Sequence, residues 1–153
     1  MSAGALHWGV VKPKSTAATA AILQANEGFY RAFSAGDYTQ MARVWAAEAP
    51  LSCVHPGLPA ICGRDAVLQS WRQILDASAP FEMRCDHVQV HLLGESAIVT
   101  CYEGNGHQPA HLAATNVFVL EGSEWRMVHH HAGPLARPAA VRATPAPSGE
   151  TLN

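Results

Sequence analysis

Trp125-Arg126-Met127-Val128-His129-His130-His131-Ala132-Gly133-Pro134 ends an aromatic and apolar run in three consecutive histidines. It follows an acidic turn, Glu121-Gly122-Ser123-Glu124, which in turn follows Val117-Phe118-Val119-Leu120. Two extended runs joined by a short glycine-containing turn predict a β-hairpin. Side chains alternate along a strand, so Trp125, Met127, His129 and His131 are expected on one face, with Arg126, Val128 and His130 on the other. The first face, with a Trp, a Met and two imidazoles, is the one expected to be half-buried. The rest of the chain reads as its cover.

Upstream of the hairpin, Ser15 or Thr16 caps an expected helix to Ala35, stopped by Gly36, with Ile22, Asn26, Phe29, Tyr30 and Phe33 on one stripe. Asp37 is expected to cap a short second helix, Tyr38 to Ala46. Leu51 to Gly63 reads as a small hairpin around Pro56-Gly57-Leu58-Pro59, and a third helix follows to Ala77, stopped by Pro80. Then the period changes from helical to extended. Phe81–Leu92, Ser96–Glu103, His111–Leu120 and Trp125–Ala132 are four expected strands in a meander. Helices first and strands afterwards make an α+β fold, with a curved antiparallel sheet closing like a cone around the three N-terminal helices. The domain is expected over 15–135, preceded by a flexible segment, 1–14, and followed by a disordered Pro/Ala-rich tail, 136–153. One face of such a sheet is left for a partner, and a homodimer is the expected solution.

The 153 residues are 48% hydrophobic, enough for one domain with a core of its own. Net charge is −2 and the ten Lys and Arg are scattered along the chain, which argues against nucleic acid as a partner. No apolar run approaches the roughly 20 residues of a membrane span. Without a signal-peptide pattern at the start, a cytoplasmic location with four reduced cysteines is expected. Nine histidines are the compositional outlier, and they make pH dependence between about 5 and 8 an expectation.

Several pieces resemble a known family. Asp37-Tyr38-Thr39-Gln40-Met41-Ala42-Arg43-Val44-Trp45 after Phe29-Tyr30-Arg31-Ala32-Phe33 resembles the opening of SnoaL-like proteins. So does Val54-His55-Pro56-Gly57 followed by Gly63-Arg64-Asp65-Ala66-Val67 and Trp71. Thr115-Asn116-Val117-Phe118 through Pro134 is similar to the end of the calcium/calmodulin-dependent protein kinase II association domain. All belong to the nuclear transport factor 2-like superfamily, and the likeness spans residues 18–135. It implies a cystatin-like roll, usually dimeric, with a pocket between sheet and helices. It does not imply one reaction, because the superfamily holds isomerases, dehydratases, cyclases, hubs and binding proteins. Association domains carry a pocket arginine where this chain has Asn116, so an anionic ligand loses that clamp.

The expected pocket is mostly apolar, lined by Tyr30, Trp45, His55, Trp71, Tyr102, Asn116, Phe118, His129 and His131. Its expected occupant is a small, largely apolar molecule, with no cofactor. The alternatives are an acid–base isomerase, dehydratase or cyclase, with His55 or His129 as base and Tyr30 or Asn116 as orienting donor, and an oligomerisation module. No carboxylate reads as clearly inward: Asp37 and Asp65 are expected as helix caps, and Asp86 and Glu103 as solvent-facing. For His129 and His131 the plainer reading is a pair of hydrogen-bonded structural histidines fixing a strand end, ahead of a proton shuttle or metal ligands. Cys53, His55 and Cys62 could hold zinc or copper if Cys53 lies opposite Cys62. Their spacing matches no recognised zinc pattern, and small buried thiols are the plainer reading.

Overall fold

A computed structural model describes residues 15–139. The expected segment 1–14 and residues 140–153 of the expected tail lie outside the described residues. Three helices and six strands follow in order: α1 (Ser15–Ala35), α2 (Tyr38–Val44), β1 (Ser52–Val54), β2 (Ile61–Cys62), α3 (Arg64–Ala77), β3 (Met83–Leu93), β4 (Ser96–Asn105), β5 (Ala110–Glu121) and β6 (Glu124–Ala139).

The helix ends follow local chemistry. Gly36, at φ +65°, closes α1 in a left-handed turn: the Asp37 amide donates to the Ala32 carbonyl at 2.9 Å and the Gly36 amide to Phe33 at 3.2 Å. Asp37 then caps α2 by accepting from the Gln40 amide at 3.0 Å. Asp65 does not act as a cap. Gly63 holds that position without a side-chain bond, and Asp65 lies in the first turn of α3, where its charge favours the helix dipole.

The strands form one sheet in the order β2-β1-β6-β5-β4-β3. The meander β3 to β6 is antiparallel as expected, but the sheet is mixed, because β1 runs parallel to β6, with Ser52, Cys53 and Val54 beside His129, His130 and His131. The long connection from β1 to β6, through β2, α3 and β3 to β5, permits this, whereas a tight turn would force antiparallel pairing. β6 runs on through Ala139, so residues 136–139 belong to the sheet. Pro134 and Pro138 fit there because β1 covers β6 only at 129–131, leaving an open edge that needs no amide donor.

The helices pack on the inner face of the sheet. Phe29, Trp45, Val67, Trp71, Phe118 and Met127 are fully buried between the layers, and each large apolar side chain contributes about 2–3 kcal/mol of burial. Three register breaks interrupt the alternation, one of them near the end of β6, where Leu112 pairs with Pro134 but Ala110 with Ala139. In β6, Val117 pairs with His129 and Phe118 with Met127, which leaves Val128 unmatched. In β3 the shift falls between Asp86 and Gln89, where His87 adopts φ +54°.

Candidate active site

The β6 bulge decides which histidine faces the core. With Val128 extruded, Met127 and His130 both point inward, and His129 and His131 turn to the outer face. The expected assignment of the His129/His131 pair to the buried face is therefore reversed. His130 is 3% exposed and packs on the rings of Phe29 and Trp71. His131 is exposed, and half-buried His129 meets the Ser52 hydroxyl at 2.7 Å.

Around His130 lies a buried polar cluster drawn from α1, β4, β5 and β6. Asn116 presents Oδ1 to His130 Nδ1 at 2.6 Å, and donates through Nδ2 to Asn26 Oδ1 at 2.8 Å and to Tyr30 Oη at 3.1 Å. Tyr30 donates to Glu103 Oε1 at 2.7 Å and lies 3.2 Å from Cys101 Sγ. Because Asn116 offers His130 an acceptor, the imidazole carries its proton on Nδ1, and the bare Nε2 faces Glu103 Oε1 at 4.0 Å.

Glu103 is 2% exposed, not solvent-facing. It belongs to the inward series Ala97, Val99, Cys101, Glu103 on β4, and that period-2 pattern is the signal by which it was legible. Burial drives its carboxyl up to about 7, an effect partly offset by the Tyr30 hydrogen bond. Burial likewise drives His130 down to about 3, so its imidazole is neutral at physiological pH. The Tyr30 phenol is held well above its ordinary range by burial and the neighbouring Glu103.

A cleft of about 450 Å³ between α1 and β3 reaches this cluster from outside. Asn26, Tyr30 and Cys85 form part of its wall, with Leu23, Met83 and Val88 as apolar lining and Glu27, Arg31, Glu82 and Arg84 as charged lining. Tyr30 thus faces both the cleft and Glu103.

Other expected lining residues go elsewhere. His55 is buried across Trp71 from His130, with Nε2 at 3.0 Å from the Ser70 hydroxyl. Ser70 gives its own proton to the Val67 carbonyl, so His55 donates to Ser70 and no activated serine results. Trp45, Trp71 and Phe118 are at most 1% exposed and fill the core. Tyr102 is half-buried against His87, out of phase with the inward residues of β4.

The cysteine cluster does not assemble. Ser52, not Cys53, lies opposite Cys62, so Cys53 and Cys62 point to opposite faces. Cys53 is buried, its thiol pushed up to about 12 chiefly by burial, while Cys62 is exposed. Among the described residues, no group of three His, Cys, Asp or Glu side chains is placed to hold a metal ion. None of the described helices is long and apolar enough to cross a membrane.

Residues 22–137 match the SnoaL-like domain family. Among solved structures, a candidate dehydratase of the nuclear transport factor 2-like family from Streptomyces avermitilis is 30% identical, with a TM-score of 0.73 over 79% of this chain and 98% of that one. A candidate calcium/calmodulin-dependent protein kinase type II association domain from Thiobacillus denitrificans is 34% identical, with a TM-score of 0.62 over 72% and 92% of the two chains. The F-box protein SKIP8 of Arabidopsis thaliana is 29% identical over 115 residues, 75% of this chain but only 50% of that longer protein. With its helices, curved sheet and these likenesses together, the chain belongs to the SnoaL-like family of the nuclear transport factor 2-like superfamily.

Proposed function

We propose that this domain is a cofactor-independent acid–base enzyme, of the isomerase or dehydratase kind, acting on a small and largely apolar organic molecule. One observation carries the reading. The hydroxyl of cleft-lining Tyr30 is 2.7 Å from a buried carboxyl that titrates at about 7. Near neutral pH such a carboxyl supplies both of its forms, which suits a proton store.

When Glu103 is protonated, Tyr30 gives its proton to a substrate oxygen and is refilled from Glu103. When Glu103 is ionised, Tyr30 passes its proton inward as it takes one from the substrate. The Asn116 amide, 3.1 Å from the phenolic oxygen, stabilises the negative charge that develops there. An isomerisation returns the proton to a second atom of the same molecule. A dehydration delivers it to a leaving hydroxyl, which departs as water. Neither needs a redox partner. Leu23, Met83 and Val88 give the cleft an apolar strip, beside the charged Glu27, Arg31, Glu82 and Arg84, on which an apolar substrate body can rest, and the name of the Streptomyces relative agrees with the dehydratase alternative.

The test is deuterium exchange. A panel of small ketones incubated with the protein in D2O should lose α-protons faster than in buffer, read by NMR. Tyr30→Phe and Glu103→Gln should each slow exchange by about 100-fold or more while leaving the circular dichroism unchanged. If no ketone exchanges above buffer, or both variants exchange normally, the reading fails and a binding role without catalysis is left.

A second reading concerns assembly, and we propose that two copies pair through the outer sheet face. Val54, Ile98 and Val117 lie there, half-buried in the single chain and on the face opposite the described helices. Sedimentation of Val117→Glu should show a monomer where the unmodified chain sediments as a dimer; equal masses would refute it.

A further inference from the structure

The buried amides form a chain with a direction. His130 Nδ1–H donates to Asn116 Oδ1, and Asn116 Nδ2–H donates to Asn26 Oδ1. Asn26 therefore turns its own NH2 group onward, and the partner it finds is Cys85 Sγ at 3.7 Å, a weak acceptor. Asn26 and Cys85 both line the cleft. The three residues that set the direction are 3% (His130), 0% (Asn116) and 3% (Asn26) exposed, so solvent does not scramble it. A buried amide donor held against sulfur is under-satisfied, and it gains most from an acceptor oxygen.

We propose that Asn26 selects the ligand of this cleft. Its amide takes a neutral acceptor oxygen, a carbonyl, and rejects an ammonium group of the same shape. The inference rests on the acid–base reading for the place of the site, and it adds what that reading leaves open, the polarity of the group bound. A carbonyl oxygen at Asn26 has its carbon next to Tyr30, because the Asn116 amide bridges both residues. The apolar remainder would lie along Leu23, Met83 and Val88. Asn116 acts only through Asn26 and His130 in this selection, as a positioning residue.

Two measurements test it on the unmodified chain. In protein labelled with 15N-histidine, the His130 resonances, identified by contacts to the Phe29 ring, should report the Nδ1–H tautomer. The Nε2–H tautomer would reverse every amide in the chain, present the Asn26 oxygen to the cleft and overturn the proposal. Cyclohexanone and cyclohexylamine are then titrated separately, following the Asn26 side-chain amide by NMR. The ketone should shift that signal and bind about tenfold more tightly than the amine, the value of one hydrogen bond. Equal binding, tighter amine binding, or a ketone that leaves the Asn26 signal unmoved up to its solubility limit would each refute it. Asn26→Asp, which replaces the donor by an acceptor, should invert the preference, and an unchanged preference in folded variant counts against it. Ketone binding at Asn26 without deuterium exchange upholds this selection and sinks the catalytic reading, so the two fail separately.

Discussion

Met127 and His130, three residues apart on β6, turn their side chains to the same side of the sheet. An unbroken strand would send them to opposite faces. The extra residue at Val128 shifts the phase, and through it the polar cluster acquires an imidazole at its centre.

Three adjacent histidines should therefore behave unequally. His130→Ala leaves the Asn116 carbonyl oxygen buried without its donor and opens a void beside Phe29 and Trp71. The expected cost is about 3 kcal/mol. His131→Ala should stay within about 0.5 kcal/mol, and urea unfolding of the variants measures both. Equal losses at 130 and 131 would contradict the bulge.

Glu103 and His130 pull stability in opposite directions with pH. Glu103 titrates at about 7 in the fold against 4.5 ordinarily, so its contribution is full below 4.5 and is lost as pH rises through 7. His130 titrates at about 3 against 6.5, so its contribution is full above 6.5 and is lost as pH falls toward 3. Between 4.5 and 6.5 the two slopes, each about 1.4 kcal/mol per pH unit, cancel. Chemical denaturation across that window should show Glu103→Gln gaining stability relative to the unmodified chain as pH rises, and His130→Gln losing it. A pair of variants tilting the same way would show that one assignment is wrong.

The four thiols should separate by reactivity. Cys62 is exposed and should react with Ellman's reagent at once. Cys85, in the cleft wall, should follow slowly and be shielded by a bound ketone. Cys53 and Cys101 are buried, and both are raised, Cys53 chiefly by burial and Cys101 chiefly by contact with Cys85. They should react only on unfolding. A Cys53–Cys62 disulfide under mild oxidation would contradict the register of β1 and β2.

Gly104, near the end of β4, sits where a side chain would be crowded. A Cβ there would come within 3.2 Å of both the Ala110 Cα and the Gln108 carbonyl oxygen, backbone that cannot easily give way. That carbonyl also accepts from Arg84 at 2.7 Å. Gly104→Ala should destabilise by about 1–3 kcal/mol by overpacking; thermal melting at an unchanged midpoint would refute the clash.

The stripe Ile22, Asn26, Phe29 and Tyr30 and the Gly36-Asp37 break were readable because a helix and its caps depend on residues within a few positions. The helix-then-strand order and the family likeness were readable for the same reason. Three features depended on strands meeting at a distance. Val128 is extruded only because β5 offers one residue fewer opposite it, so alternation along β6 alone put the wrong histidines inside. Cys62 meets Ser52 and not Cys53 because the register between β1 and β2 sits one residue away from the expected turn. Glu103 was in phase with Ala97, Val99 and Cys101, but a charged residue at the end of a strand is ordinarily solvated. Only the assembled fold brings Tyr30 from α1 to its carboxylate, 73 residues away in sequence, and makes its burial tolerable. Local pattern determined the elements and their order, whereas the pairing of distant strands decided which polar groups share the interior.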